Sequence, residues 1–130
     1  TSPSASSLGV HDFVDEWISS PYPAQAGDRK IILEGMELLD EKSVLRGKPD
    51  FVSLSAKEQL VICEDLARKA KANQNRFPGS FFYRLRNLVA GGYYTTPAGM
   101  KDIGYVGNIA QAEWKGPPAE VLKKLNLPSQ

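Results

Sequence analysis

Residues 80–108 read SFFYRLRNLVAGGYYTTPAGMKDIGYVGN. In the first third, Phe81, Phe82, Leu85, Leu88 and Val89 fall at the spacing that aligns side chains on one side of an α-helix. This is the most aromatic apolar stripe in the chain. It predicts a helix with Pro78 in its first turn and Gly91 or Gly92 as the stop, with Arg84, Arg86 and Asn87 off the stripe. Beyond it, Gly91, Gly92, Gly99, Gly104 and Gly107 are interspersed with Tyr93, Tyr94 and Tyr105. Glycine opens backbone conformations closed to other residues, and tyrosine adds a large apolar body with a polar tip. Together they predict a long, well-packed loop over residues 91–108. Ordered loops of that length in compact domains usually carry function, although a plain wrap over a helical core has the same composition.

The segments on either side are helical by the same criterion. Phe13, Val14, Trp17 and Ile18 form one stripe of a first helix beginning near Val10, with His11, Asp12, Asp15 and Glu16 opposite. Pro21 and Pro23 end it, and PYPAQAGD reads as a turn. Asp28 is a good N-cap for a second helix running to about Leu45, whose Ile31, Ile32, Met36, Leu38 and Leu39 make a broad buried face. Gly35 in mid-helix costs about 0.5 to 1 kcal/mol relative to alanine, which implies that another backbone passes close by.

Gly47 and Pro49 break that helix, and Ser55 with Glu58 makes a capping box for a third. There Leu60, Cys63, Ala67 and Ala70 share a face, with Val61 and Ile62 beside them, and the basic run ARKAKANQNR is a solvated helix end. Past Asn108, Trp114 pins the tail to the body, and a short helix from about Ala119 to Leu125 adds Val121, Leu122 and Leu125. The expected architecture is all-α: four main helices, a short C-terminal one and the long Gly/Tyr-rich loop. Residues 1–8 form a flexible start and residues 9–130 a single domain.

Composition narrows the chemistry. With 42% hydrophobic and 24% charged residues, a chain of 130 residues is in the range of one domain with a core of its own. Sixteen Lys and Arg balance fifteen Asp and Glu, so neither a nucleic-acid footprint nor a polybasic membrane tether is present. No apolar run is long enough to insert in a bilayer. Cys63 is the single cysteine, which rules out an internal disulfide and Cys-based metal or cluster sites, and it reads as a small core residue. His11 is the single histidine and reads as a surface residue, so His-based catalysis lacks its members. The small, polar start TSPSASS suits a processed, exported protein.

No nucleophile elbow, phosphate loop, dinucleotide fingerprint or metal-binding helix motif is present, so no catalytic, cofactor-binding or metal-ligating residue is assigned. Tyrosine, tryptophan and arginine dominate interface energetics. The candidate partner interface is therefore Arg84, Tyr93, Tyr94, Tyr105 and Trp114, joined by Met100 and Asn108 of the same Gly/Tyr-rich run. The alternative is a free-standing carbohydrate-binding or scaffold module using the same aromatic residues.

The order HDFVDEWISSPYP, then GMELLDEKS, then residues 80–108, and finally a Trp followed by KGPPAEVLKKL resembles the gluconate 2-dehydrogenase subunit 3 family. The resemblance spans nearly the whole chain after residue 8, and its specific part is Phe82 to Asn108. It implies a non-catalytic small subunit of a periplasmic sugar or glycoside dehydrogenase complex. The implied partner is a large flavoprotein of the glucose-methanol-choline type, which carries FAD and is exported with the small subunit through its twin-arginine signal. Electrons would then pass to a cytochrome c or another acceptor. No twin-arginine leader occurs in these 130 residues, so export is an expectation from the resemblance. The residues agree on one point: the groups needed to move electrons are few here, which places the chemistry on a partner.

Overall fold

The computed structural model describes residues 2–107, 110, 112–113 and 116–127, and among these there are helices and no strand. Asn108 and Trp114 lie outside the described residues. A single 3-10 turn, Ser6–Leu8, leads into α1, Val10–Ser19. Then come α2 (Pro23–Val44), α3 (Ala56–Ala72), α4 (Gly79–Tyr94), α5 (Pro97–Asp102) and α6 (Ala119–Lys124). The all-α class and the four longer helices are as the periodicity predicts.

The hub is α4, which packs against α1, α2, α3 and α5. Its Phe81 and Leu88 join Ile32 of α2, Ile62 and Leu66 of α3, and Leu54 of the connection into one buried cluster. Val14, Trp17 and Ile18 of α1 and Phe82 and Leu85 of α4 pack around it, so the two stripes read from spacing are the ones buried. Each of Ile32, Ile62, Leu66 and Phe81 is 1% exposed. Full burial of side chains of this size contributes about 1.5 to 3 kcal/mol each.

Several local expectations are corrected. Residues 23–28 do not form a turn, because Pro23 occupies the first position of α2, where its missing N–H is no loss. Asp28 is consequently inside the helix, 8% exposed, and does not cap it. Met36 is 53% exposed and borders a groove of about 460 Å³ between α1, α2 and α4, whereas Ile31, Leu38 and Leu39 do pack on the core. What approaches Gly35 is a side chain, the ring of Phe81, and not a backbone.

The α2–α3 connection is held by polar ties. The Phe51 N–H donates to Asp40 Oδ1 at 2.9 Å, and the Gln59 amide donates to the Phe51 carbonyl at 3.0 Å, which together hold Leu54 in the core. Gly47 takes φ +76° in the turn that closes α2, a conformation that favours glycine. The Ser55–Glu58 capping box is present in both directions, and the hydrogen bonds from Ser55 lower the Glu58 carboxyl below its ordinary value. In α3 the buried row is Ile62, Leu66 and Ala70, while Leu60 and Val61 are 57% and 49% exposed. The expected face is thus rotated, and Cys63 sits at its half-buried edge.

Pro78 caps α4 and Gly79 is its first residue, one position from expectation. Neither Gly91 nor Gly92 stops α4, which runs on to Tyr94. Gly92 is buried where α1 crosses, its β position falling 2.7 Å from Phe13 Cδ1 and 2.9 Å from Val10 Cγ1. The long loop is therefore largely helical: α4 supplies its start, and α5 follows after Thr95 and Thr96. The Thr96 hydroxyl accepts from the Gly99 N–H at 3.1 Å, with Pro97 at the first position, so the turn has a regular helix start. In α6 Val121 is exposed and Leu122 half-buried, and Leu125, which caps the helix, is exposed, so the apolar face expected there is not enclosed by the described residues.

Candidate functional site

The end of α4 and the whole of α5 form one corner of the molecule. Gly99 lets them meet, since a β-carbon there would lie 2.1 Å from the Tyr93 carbonyl oxygen. The Tyr93 hydroxyl donates to Asp102 Oδ2 at 2.5 Å and clamps the far end of α5. That bond raises the Tyr93 phenol above its ordinary value and holds the Asp102 carboxyl below its own. Tyr93 is thus half-buried and structurally engaged.

Tyr94 stands edge-on to Tyr93, with ring centroids 5.2 Å apart at 89°, a favourable aromatic geometry. It remains 46% exposed. After α5 the Tyr105 N–H returns to the Met100 carbonyl at 2.9 Å, and Gly104 with φ +66° makes the bend. Ile103, Tyr105 and Val106 are left 58%, 58% and 78% exposed. Tyr94, Ile103, Tyr105 and Val106 make up an apolar and aromatic edge that nothing in the described chain covers. Met100, whose carbonyl takes the Tyr105 N–H, is half-buried.

Of the residues singled out from sequence, Tyr93, Tyr94, Met100 and Tyr105 share this corner. Asn108 and Trp114 are outside the described residues. Arg84 is elsewhere: its Nε and Nη2 both donate to Asp28, and the Trp17 indole N–H donates to Asp28 Oδ2 at 2.8 Å. Burial pushes the Asp28 carboxyl up, but the hydrogen bonds from Arg84 and Trp17 and the guanidinium charge outweigh it and leave the carboxyl below its ordinary value. This three-way tie joins α1, α2 and α4, so Arg84 is part of the frame. Ile103 and Val106 were not singled out from sequence; their signal was an apolar residue beside each glycine of the run IGYVG.

Burial raises the Cys63 thiol, which leaves it a weak nucleophile. Among the described residues no group of three or more His, Cys, Asp or Glu side chains converges in a way that could hold a metal ion. What this corner offers chemically is contact area and a few polar tips.

The sequence model of the family described as Gluconate 2-dehydrogenase subunit 3 matches residues 1–112. No curated protein and no solved structure matches the chain.

Proposed function

The chain belongs to the gluconate 2-dehydrogenase subunit 3 family, an accessory subunit of a multi-subunit dehydrogenase, and on that premise we propose that the α4–α5 corner docks on the catalytic subunit. The observation that carries this reading is the exposed edge of Tyr94, Ile103, Tyr105 and Val106, four large side chains at 46 to 78% exposure beside the Tyr93–Asp102 hydrogen bond. Interfaces enrich tyrosine in such positions because it buries much area with little loss of side-chain freedom. The partner is a large FAD-carrying flavoprotein that oxidises a sugar or glycoside. Both subunits work in the periplasm and are exported together, and the electrons leave through a cytochrome c or another acceptor.

This chain's part in that complex is to bind and stabilise. A subunit that binds the native partner and not its unfolded form stabilises it by mass action, about 2.7 kcal/mol when present at 100 times its dissociation constant. The test is co-expression of the chain with the flavoprotein of its own host. Replacing Tyr94→Ala together with Tyr105→Ala is expected to cut recovery of the large subunit about tenfold, a loss of about 1.4 kcal/mol in binding. Recovery equal to that of the parent pair would place the docking surface elsewhere.

A further inference from the structure

Between α1 and the start of α2 lies a cavity of about 250 Å³ lined by Phe13, Glu16, Trp17, Ser20, Tyr22 and Gln25. Three of those six side chains are aromatic, one is a carboxylate and none is cationic. The Phe13 and Trp17 rings stand 6.1 Å apart at a 44° tilt. Trp17 is held in place because its indole N–H is taken by Asp28. Gln25 Oε1 is buried and has no hydrogen-bond partner among the described residues. An acceptor left in that condition costs about 1 to 3 kcal/mol.

We propose that this cavity receives a guanidinium group, the side chain of an arginine presented by the catalytic subunit. Aromatic faces attract a cation through their quadrupole, and the planar guanidinium also stacks on them. Its N–H donors suit the Glu16 carboxylate on the wall, and Gln25, whose Oε1 has no partner among the described residues, lines the same cavity. A lysine ammonium has the charge but lacks the plane, and a neutral side chain lacks the charge that draws a cation to the aromatic faces and to Glu16. The chain's own Arg84 does not fill the site, being committed to Asp28.

The cavity adjoins the docking corner through Phe13, whose ring lies over Gly92, the residue before Tyr93. The source of the arginine rests on the docking reading above; the cavity's preference for a guanidinium does not.

Two measurements separate them. The first is titration of the full chain with N-acetyl-L-arginine amide, and in parallel with the citrulline counterpart, in which an uncharged urea replaces the guanidinium, while the Trp17 indole N–H is followed by NMR. The arginine compound is expected to shift that resonance and to bind about tenfold more tightly than the citrulline one, with the advantage lost in Glu16→Gln. Equal shifts from both compounds, or none, would overturn the inference and leave the docking reading untouched. The second is recovery of the catalytic subunit by Glu16→Gln and by Tyr22→Ala, both at exposed side chains where folding is not at stake. Recovery is expected to fall about tenfold and to become less sensitive to salt. Selective binding of the arginine compound with undiminished recovery would show that the partner supplies no arginine here, and would overturn the inference as well.

Discussion

The ring of Phe81 fills the space that a β-carbon on Gly35 would take, with Cδ2 lying 1.9 Å from that position. Two helices distant in sequence thus meet through one residue with no side chain and one with a large one. The contact lies at the centre of the buried cluster, since Phe81 is 1% exposed.

Gly35→Ala separates two opposing effects. Alanine favours an α-helix over glycine by about 0.5 to 1 kcal/mol, whereas forcing a methyl into a filled core costs about 1 to 3 kcal/mol. At 1.9 Å from a fully enclosed ring the second effect dominates. The variant should lose about 2 kcal/mol, read as a lower urea midpoint at unchanged slope. A midpoint equal to or above that of the parent would mean α2 and α4 are spaced further apart than described.

Asp28→Asn removes the charge from the tie between Arg84 and Trp17 while keeping the side-chain shape. Breaking an enclosed pair from one side costs about 3 to 5 kcal/mol, but 35% of the Arg84 side chain is accessible, so about 2 kcal/mol is expected. The sign with pH follows from the direction of the shift. Asp28 has its carboxyl lowered in the folded chain, so its contribution is present above the ordinary carboxylate pKa and is lost as pH falls through the lowered one. Unfolding free energies of parent and variant should therefore differ most at neutral pH and converge in acid. A gap that is the same at neutral and acid pH would assign the loss to packing.

What was legible in the sequence was local. The Ser55–Glu58 box, the α1 stripe and the α4 stripe each depend on residues within two or three turns, and each is found where spacing put it. The residue type of Asp28 favours a cap, while its partner in the fold, Arg84, is 56 positions away and outside any local window. Pro23 reads as a breaker in the sequence because a proline both ends one helix and starts another, and only the fold decides which. In α3 the run LVIC is apolar all round, so periodicity allowed more than one buried face, and contact with α4 selected Ile62 and Leu66. At the candidate site the tyrosines were visible as residue types. That Tyr93 turns inward to Asp102 and Tyr94 does not could only come from how α5 folds back.

Cys63 should react slowly. Its half-buried position raises the thiol above its ordinary value and leaves little thiolate at neutral pH. Labelling of the native chain by an aromatic disulfide reagent is expected to run at least about tenfold slower than labelling in denaturant, following thiolate fraction and access together. Native labelling as fast as that of the unfolded chain would put Cys63 in a more open or electropositive setting.

Gly91 and Gly92 are adjacent in one helix and should respond oppositely to alanine. Nothing lies within 4 Å of a β-carbon at Gly91, and its backbone is helical, so Gly91→Ala should stabilise by about 0.5 to 1 kcal/mol through helix propensity and a less flexible unfolded chain. At Gly92 the same methyl meets Phe13 at 2.7 Å and Val10 at 2.9 Å, so α1 must move away or the two side chains must give. A loss of about 1 kcal/mol is expected there. Because Phe13 also walls the cavity assigned to an arginine, Gly92→Ala should weaken retention of the catalytic subunit more than its small effect on stability predicts, while Gly91→Ala should not. Thermal or urea unfolding of the two variants side by side, with co-purification measured on the same samples, checks both halves. If both substitutions stabilise alike, α1 does not cross α4 at Gly92.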